Sequence, residues 1–194
     1  MESRPQTPPE IRQRIWMELR RAAQDRHHAW RTPVIATVDS SGMPNARTVV
    51  LRAVDASRAQ LHFYTDARSP KVVEIIRQPS ALLVFWSKRL NWQLRVRAGM
   101  AIRTDGPDVE AVWERVSQSA FAGDYLSCLA PGDSLASPDA GFATAAGTGM
   151  MAEATRHQLA IITAQVTEID WLELARGGHR RARIGAESWD WVAP

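Results

Sequence analysis

Cysteine, lysine and long apolar runs are scarce in this 194-residue chain, and each shortage excludes a class of protein. Cys128 is the single cysteine, which excludes an internal disulfide and a cysteine-based zinc cluster. No apolar run approaches the roughly 18 residues that a membrane-spanning helix needs. The polar N-terminus MESRPQTPPEIRQRIW does not resemble a signal peptide. We therefore expect a cytoplasmic protein that does not act at a membrane.

Several motifs of well-known enzymes are also missing. There is no G-x-S-x-G elbow, no phosphate loop ending in Gly-Lys-Ser/Thr, and no H-E-x-x-H pair. The histidines are dispersed, and we expect the adjacent His27 and His28 to be exposed near a helix end. GTGMMA at residues 147–152 formally matches a dinucleotide fingerprint, but no βαβ unit surrounds it. We expect neither a metal site nor a dinucleotide site of this type.

The composition indicates one globular domain over residues 1–194, because 45% of the residues are hydrophobic and the chain is long enough for a core. The formal net charge is only +3, although the sequence pI is about 9.6. Most cations are arginines, which stay protonated, and acidic residues nearly balance them. This balance is weak evidence for a nucleic-acid partner, and we expect none.

The periodicity of the sequence predicts an antiparallel sheet with flanking helices. Residues 1–30 are predicted to contain an amphipathic helix, since Ile11, Ile15 and Leu19 recur at helical spacing. Segments rich in β-branched and aromatic residues predict strands at 33–39, 46–55, 59–66, 81–87, 91–104 and 158–174, and a helix is expected at 108–119. Residues 131–156 are rich in small and polar residues and are predicted to form a long loop. Strands in such close succession favour a closed antiparallel barrel.

The strand predicted at 91–104 has two different faces. Its apolar face carries Trp92, Leu94 and Val96, and its polar face carries Gln93, Arg95 and Arg97. We interpret Arg95 and Arg97 as solvated strand arginines. Gly99 is a candidate position for a bulge or bend.

The segment TDARSPKVVEIIRQP at residues 65–79 has the features of a helix start. Ser69 can cap the helix, Pro70 suits its first position, and Lys71, one of only two lysines, falls in the first turn. A helix N-terminus beside a hydroxyl and an ammonium group is a suitable phosphate site. An ordinary capped surface helix explains the same pattern, so both interpretations stay open on these residues alone.

Four spaced motifs together resemble the pyridoxamine 5'-phosphate oxidase family of FMN-binding split barrels. They are RTVVLR at 47–52, FYTD at 63–66, RSPK at 68–71 and WQLRVRAG at 92–99. The resemblance runs from about residue 30 to 99 and returns at DWLEL (170–174), GHRRARI (178–184) and the closing VAP. It implies a mainly β, six-stranded antiparallel Greek-key split barrel with flanking helices. It also implies a homodimer with FMN at the subunit interface.

The resemblance further implies a set of cofactor contacts. Arg47 and Lys71 match cations that hold the FMN phosphate, and Gln93 matches a glutamine near the isoalloxazine ring. Trp171 and Arg183 match, less closely, a late tryptophan and arginine of the flavin site. The implied cofactor-binding set is Arg47, Thr48, Val49, Val50, Leu51, Tyr64, Thr65, Ser69, Lys71, Gln93, Trp171 and Arg183. Pro70 stands where the family enzyme often has an arginine.

The substrate positions depart further from the family pattern. Arg52 stands at a lysine that helps to hold the substrate phosphate, and Arg181 stands at a substrate histidine, so both are candidate substrate residues. His179 stands where an arginine is expected, and AVWERVSQSAF (111–121) lacks counterparts of the family's tyrosine, arginine and serine. Because residues of opposite parity point to opposite faces of a strand, Arg47 and Arg52 cannot reach one phosphate without a bulge.

These residues predict an FMN-dependent oxidoreductase that acts on an unidentified small substrate, with no side chain required as a nucleophile. A non-catalytic flavin-binding or storage protein is the alternative, because the substrate positions are poorly matched. A third interpretation is an RNA or DNA binder that uses arginines and tryptophans on a barrel. For the leading interpretation we expect poor oxidation of pyridoxamine 5'-phosphate.

Overall fold

The computed structural model describes residues 5–120, 122–135, 137 and 157–194. Within these ranges the helices are α1 (Pro8–Gln24), α2 (Pro70–Arg77) and α3 (Pro107–Ser117), and short 3-10 helices occur at Ala29–Arg31 and Ala122–Tyr125. The loop predicted at 131–156 lies outside the described residues except for 131–135 and 137. No helix in the described part of the chain is long and apolar enough to cross a membrane.

The described residues form one antiparallel sheet of nine strands. The strands are β1 (Val34–Val38), β2 (Pro44–Thr48), β3 (Leu51–Asp55), β4 (Gln60–Asp66), β5 (Ser80–Ser87), β6 (Trp92–Arg103), β7 (Leu159–Glu173), β8 (Arg180–Ile184) and β9 (Trp189–Val192). Their order is β2-β1-β5-β6-β7-β4-β3, with β8 paired to β7 and β9 to β8. Because β2 and β3 end this order yet follow each other directly in the chain, the sheet must curve until its ends meet. The predicted mainly β, antiparallel class is confirmed.

Helix α1 begins with a carboxylate cap and is shorter than predicted. The Glu10 carboxylate accepts hydrogen bonds from the N–H groups of Gln6 at 2.7 Å and Thr7 at 3.1 Å, ahead of the first helical turn. The helix ends at Gln24 and not near residue 30, because Asp25 adopts an extended conformation with φ −92° and ψ 114°. Its apolar face is fully buried and consists of Ile11, Ile15, Leu19 and Ala22.

A buried carboxylate fixes α1 to the rest of the molecule. Glu18 is fully buried, and its oxygens lie 2.8 Å from His28 Nε2, 2.9 Å from Arg14 and 2.5 Å from Arg89. Buried charges need such partners, since an isolated one is very costly. The prediction that His28 is exposed is wrong, because its ring turns into this network and its side chain is 5% exposed. Arg89 lies between β5 and β6, so the network joins the helix to that turn.

The strand predicted at residues 46–55 is in fact two strands. β2 pairs with β1 and β3 pairs with β4, so the chain changes neighbours at Val49 and Val50. A bulge follows in β3, where Arg52 is an extra residue between Leu51 and Ala53. The bulge frees Arg52 from the alternation that the rest of the strand follows.

Strand β6 has the two faces that its alternation predicts. Its buried face consists of Trp92, Leu94 and Val96, and the opposite face carries Gln93, Arg95 and Arg97. The irregularity in this strand lies beside Gly99 and not at it. The pairing with β7 shifts between Arg97 and Ala98, which leaves Thr167 of β7 as an extra residue.

Strand β7 is the longest strand and is shared by two parts of the sheet. Its first half pairs with β4, its second half pairs with β8, and β6 lies along its other edge throughout. Around its second half the core is rich in tryptophan. Trp92 and Trp171 meet edge to face with ring centroids 5.2 Å apart, and Trp30 lies 6.5 Å from Trp92.

Candidate functional site

Two cations and two buried hydroxyls meet where β4 leads into α2. Lys71, in the first turn of α2, donates a hydrogen bond from Nζ to Thr65 Oγ1 at 2.9 Å. The Thr65 hydroxyl also lies 3.2 Å from Ser69 Oγ, and Ser69 is fully buried. Arg47 on β2 reaches the same helix and donates from Nη2 to Glu74 Oε2 at 2.9 Å. We call Arg47, Thr65, Ser69 and Lys71 the cation cluster.

The local sequence builds this cluster at a helix start. Ser69 is extended at the N-cap position and Pro70 begins the helix, as predicted. The Ser69 hydroxyl makes no capping hydrogen bond to α2 and lies beside Thr65 instead. Val72 and Ile75 are buried and hold the helix against the sheet. The positive end of the helix dipole therefore lies next to the two cationic side chains.

The cation cluster carries a net positive charge. Burial lowers the pKa of Lys71, and the nearby Arg47 guanidinium lowers it further. Glu74 is the compensating group: burial opposes its ionisation, but hydrogen bonds from Thr37, Asn45 and Arg47 lower its pKa overall. A phosphate beside Lys71 would stabilise the charged form of that side chain. The residues present therefore fit the terminal phosphate of FMN.

Arg68, between the cluster residues in sequence, has a structural role. Its guanidinium lies 2.7 Å from Asp66 and also donates to the carbonyl oxygens of residues 127–129. Asp66 is therefore already paired within the molecule. Arg68 holds the segment after the second 3-10 helix against the start of α2.

The segment Thr48–Leu51, predicted to lie along the flavin, joins β2 to β3. Leu51 is fully buried, and Val49 donates its N–H to the carbonyl oxygen of Pro33 at 2.9 Å. Val50 is partly exposed and belongs to neither strand. The segment thus combines a fixed backbone with a side that a ligand can approach.

Tyr64 and Arg52 lie apart from the cation cluster. Tyr64 precedes Thr65 on β4 and therefore points to the other face of the sheet. The Arg52 guanidinium carbon lies 5.8 Å from the Tyr64 ring centroid, and its Nε is buried without a hydrogen-bond partner among the described residues. Burial raises the pKa of Tyr125, and its contact with Arg52 opposes that shift. The bulge in β3 thus places the Arg52 side chain beside Tyr64 and Tyr125, and not beside Arg47.

The remaining predicted residues fall on two faces of the sheet. Trp171 is fully buried in the core, and its Nε1 has no hydrogen-bond partner in the described part of the chain. Gln93 lies on the outer face, directly opposite the exposed Trp86. Arg181 is held by Asp170 through hydrogen bonds of 2.9 and 2.8 Å, and Arg183 directly faces the same carboxylate. The structure brings Arg181 and Arg183 together and separates them from the buried Trp171.

Reasoning from the sequence missed the carboxylates that organise these cations. Glu74 stands three residues after Lys71 on α2, so helical spacing was a signal that could have found it. Asp170 stands next to Trp171, but its partners come from neighbouring strands. Finding it required the strand register, which a single sequence does not supply.

Solved structures share this fold over nearly the whole chain. A pyridoxamine 5'-phosphate oxidase-related FMN-binding protein from Nostoc punctiforme PCC 73102 superposes with a TM-score of 0.72 at 21% identity, covering 98% of this chain and 100% of that one. PhzG from Burkholderia lata 383 superposes with a TM-score of 0.70 at 18% identity, covering 98% of this chain and 94% of that one. The curved antiparallel sheet of this chain therefore has the split-barrel fold.

Comparison of the sequence shows which known proteins the first half of the chain resembles. Residues 13–104, just under half of the chain, match the family model described as pyridoxamine 5'-phosphate oxidase, FMN-binding domain. A pyridoxine/pyridoxamine 5'-phosphate oxidase of Cereibacter sphaeroides is 37% identical over 93 residues, covering 48% of this chain and 45% of that protein. One from Thermobifida fusca is 33% identical over 115 residues, covering 53% and 51%. The matched region thus spans about half the length of these curated relatives.

Proposed function

We propose that this chain is an FMN-dependent oxidoreductase that acts on a small substrate as a homodimer. The cation cluster carries the proposal, because two cations, two buried hydroxyls and a helix start suit a terminal phosphate. FMN supplies the capacity to pass electrons between a substrate and an acceptor. The protein contributes binding, orientation and exclusion of water, and no side chain needs to act as a nucleophile.

The proposed roles of the binding residues follow from their positions. Arg47, Thr65, Ser69 and Lys71 hold the phosphate, and the backbone of Thr48–Leu51 runs along the flavin. Tyr64, Gln93 and Arg183 complete the site from the outer face of the sheet, which requires a second subunit. Trp171, being fully buried, contributes by supporting the sheet beneath the flavin.

Arg52 is the proposed contact to the substrate. Its buried Nε lacks a hydrogen-bond partner in the described ranges, and its guanidinium lies against the ring of Tyr64. A buried donor without a partner is costly, and an acceptor group of a ligand would relieve that cost. The Arg52→Ala variant should keep its affinity for FMN and lose turnover, because the cation cluster does not depend on Arg52.

Titrations with FMN and riboflavin test the phosphate site. FMN should bind much more tightly, since riboflavin lacks the phosphate that the cluster addresses. Arg47→Ala and Lys71→Ala should each weaken FMN binding by about 2 kcal/mol, the value for loss of a charge-assisted hydrogen bond. Arg77→Ala is the matched control, because Arg77 is an exposed cation at the other end of α2. Equal affinity for FMN and riboflavin would refute the phosphate assignment.

Spectra of the FMN-loaded protein distinguish the enzyme from a storage protein. Bleaching of the flavin absorbance by NAD(P)H or a candidate amine, with recovery in air, supports an oxidoreductase. A flavin that no donor bleaches while FMN binding stays tight supports the storage alternative. Oxygen consumption with pyridoxamine 5'-phosphate should stay far below about 1 per second, the lower end of ordinary enzyme turnover, because His179 and Arg181 replace the expected residue types.

A further inference from the structure

Four arginines converge on a cavity in the outer face of the sheet. The cavity has a volume of about 280 Å³ and is lined by Leu82, Arg95, Arg97, Glu168, Asp170, Arg181 and Arg183. We call it the arginine cavity. Four guanidinium groups face two carboxylates, so the lining carries a surplus of positive charge.

The strand register explains why these side chains meet. Arg95 on β6 and Arg183 on β8 directly face Asp170 from its two sides, and Arg97 directly faces Glu168. Residues that face each other across antiparallel strands project from the same side of the sheet. The cavity is therefore a consequence of the pairing of three strands and not of flexible side chains that happen to meet.

The arginines differ in how closely they are paired with the two carboxylates. Arg181 is engaged by Asp170 with two short hydrogen bonds, whereas Arg95 makes one contact of 3.3 Å to the same carboxylate. Arg97 Nε lies 3.2 Å from Glu168 Oε1, and the Arg97 side chain is 69% exposed. Among the residues that the structure describes, Arg95 and Arg97 thus keep guanidinium donors that these two carboxylates do not engage. These donors are available for an additional anion.

Arg95 and Arg97 also border a second, larger cavity. It has a volume of about 580 Å³, and its small residues Ala36 and Gly99 lie on the same face of the sheet as the two arginines. A ligand lying there could place a flat apolar body over the small residues and an acidic group between the arginines. Gln93, the proposed contact to the flavin, lies two residues before Arg95 on the same face, at about 7 Å along the strand.

We infer that the arginine cavity binds the carboxylate group of a small, largely apolar substrate. This inference deepens the proposed function and rests on it for the position of the flavin beside Gln93. A carboxylate suits the site because its single negative charge matches the donors that Arg95 and Arg97 keep beside Glu168 and Asp170. The planar guanidinium fork also matches a carboxylate through two parallel hydrogen bonds.

Calorimetric titration of the protein, with and without FMN, tests the cavity directly. The probes are benzoate, the neutral benzamide of the same shape, and inorganic phosphate. Benzoate should bind in both forms of the protein, and benzamide and phosphate should bind at least tenfold more weakly. Because the FMN-free titration does not depend on flavin, it separates failure of this inference from failure of the proposed function.

Two substitutions with opposite expected effects identify the site. Arg97→Gln should weaken benzoate binding about tenfold by removing a donor, and Glu168→Gln should tighten it by removing a competing carboxylate. The Arg97 side chain is 69% exposed and that of Glu168 is 36% exposed, so the two form a surface pair whose replacement should leave the fold intact. Arg20→Gln, an exposed cation of α1, is the control for loss of charge alone.

Benzoate affinity that falls in Arg97→Gln, rises in Glu168→Gln and is unchanged in Arg20→Gln supports the carboxylate site. Absence of benzoate binding, equal binding of benzamide, or equal loss in Arg20→Gln and Arg97→Gln would overturn it. Phosphate binding that is tighter than benzoate binding would overturn the choice of a carboxylate.

Discussion

Arg47 and Gln93 lie on opposite faces of the same antiparallel sheet. Arg47 directly faces Ile35, which shares the buried side of the sheet with Leu83, whereas Gln93 directly faces the exposed Trp86. Side chains on opposite faces of a sheet cannot both contact a ligand that lies against one face. If both residues serve one FMN, they must belong to different subunits.

Co-expression of two differently tagged chains tests this arrangement. A heterodimer of Arg47→Ala with Gln93→Ala should bind one FMN with the affinity of the unmodified protein, because one of its two sites keeps both residues. A heterodimer of the double variant with the unmodified chain should have no intact site. The opposite pattern, with an intact site only in the second heterodimer, would show that each site lies within one subunit.

Replacement of Lys71 should separate cofactor binding from stability. Burial and the Arg47 guanidinium lower the pKa of Lys71, so its charge is unfavourable in the FMN-free protein. That cost is present below the lowered pKa and disappears as the pH rises through it towards the ordinary value of 10.5. Lys71→Met should therefore weaken FMN binding by about 2 kcal/mol while leaving the FMN-free protein at least as stable.

Thermal unfolding of the FMN-free protein across pH checks the second half of that prediction. The unmodified protein should gain stability in the alkaline range below 10.5, and Lys71→Met should lack this gain. Arg77→Met, at the exposed end of the same helix, is the comparison. A clear loss of stability in Lys71→Met alone would contradict the electrostatic explanation.

Asp170 should stabilise the protein in a pH-dependent way. A hydrogen bond from Arg181 lowers the pKa of Asp170, and the charges of Arg181 and Arg95 add to this although burial opposes it. Its contribution is fully present above the unfolded pKa of about 4 and is lost as the pH falls through the lowered pKa. Asp170→Asn should cost about 2 kcal/mol at neutral pH and flatten the acid limb of the stability profile. An unchanged acid limb in urea unfolding would count against this account.

Glu18 should be among the most sensitive positions for stability outside the candidate site. It is fully buried among His28, Arg14 and Arg89, and removing one member of a buried charge network leaves the others without compensation. We expect Glu18→Gln to lower the free energy of unfolding by about 3 kcal/mol. Glu114→Gln, on the exposed face of α3, should change it by less than about 0.5 kcal/mol. Similar small effects at both positions would mean that the network contributes little.

The sequence predicted the parts of the fold that depend on local rules. The start of α2 followed from Ser69 and Pro70, and the two faces of β6 followed from strict alternation. The division of residues 46–55 was missed, because Val49 and Val50 have the composition of a strand interior and only the change of partner interrupts the ladder. Likewise, nothing local marks His28 as buried, since its partner Glu18 stands ten residues away.

In the candidate site, too, the contacts between residues close in sequence were predicted, and those between residues distant in sequence were not. Residues that are close in sequence, Thr65, Ser69 and Lys71, were predicted together and lie together. The arginine cavity was not predicted, because Arg95 and Arg97 on an exposed strand face have the ordinary appearance of solvated residues. Their grouping depends on which residues of β7 and β8 face them, and that register is set by the whole sheet.

The position of β7 has a consequence for the order of folding. This strand joins β4 to β6, and its partners on β4 begin at Gln60, about a hundred positions earlier in the chain. Contacts of such sequence separation form late, because a long segment must first be closed into a loop. During synthesis β4 and β6 therefore remain unpaired along facing edges until residue 173 has left the ribosome. Nascent chains that stop before β7 should be the most prone to aggregate. A molecule that binds exposed strand edges should therefore capture these truncated chains but not the full-length chain.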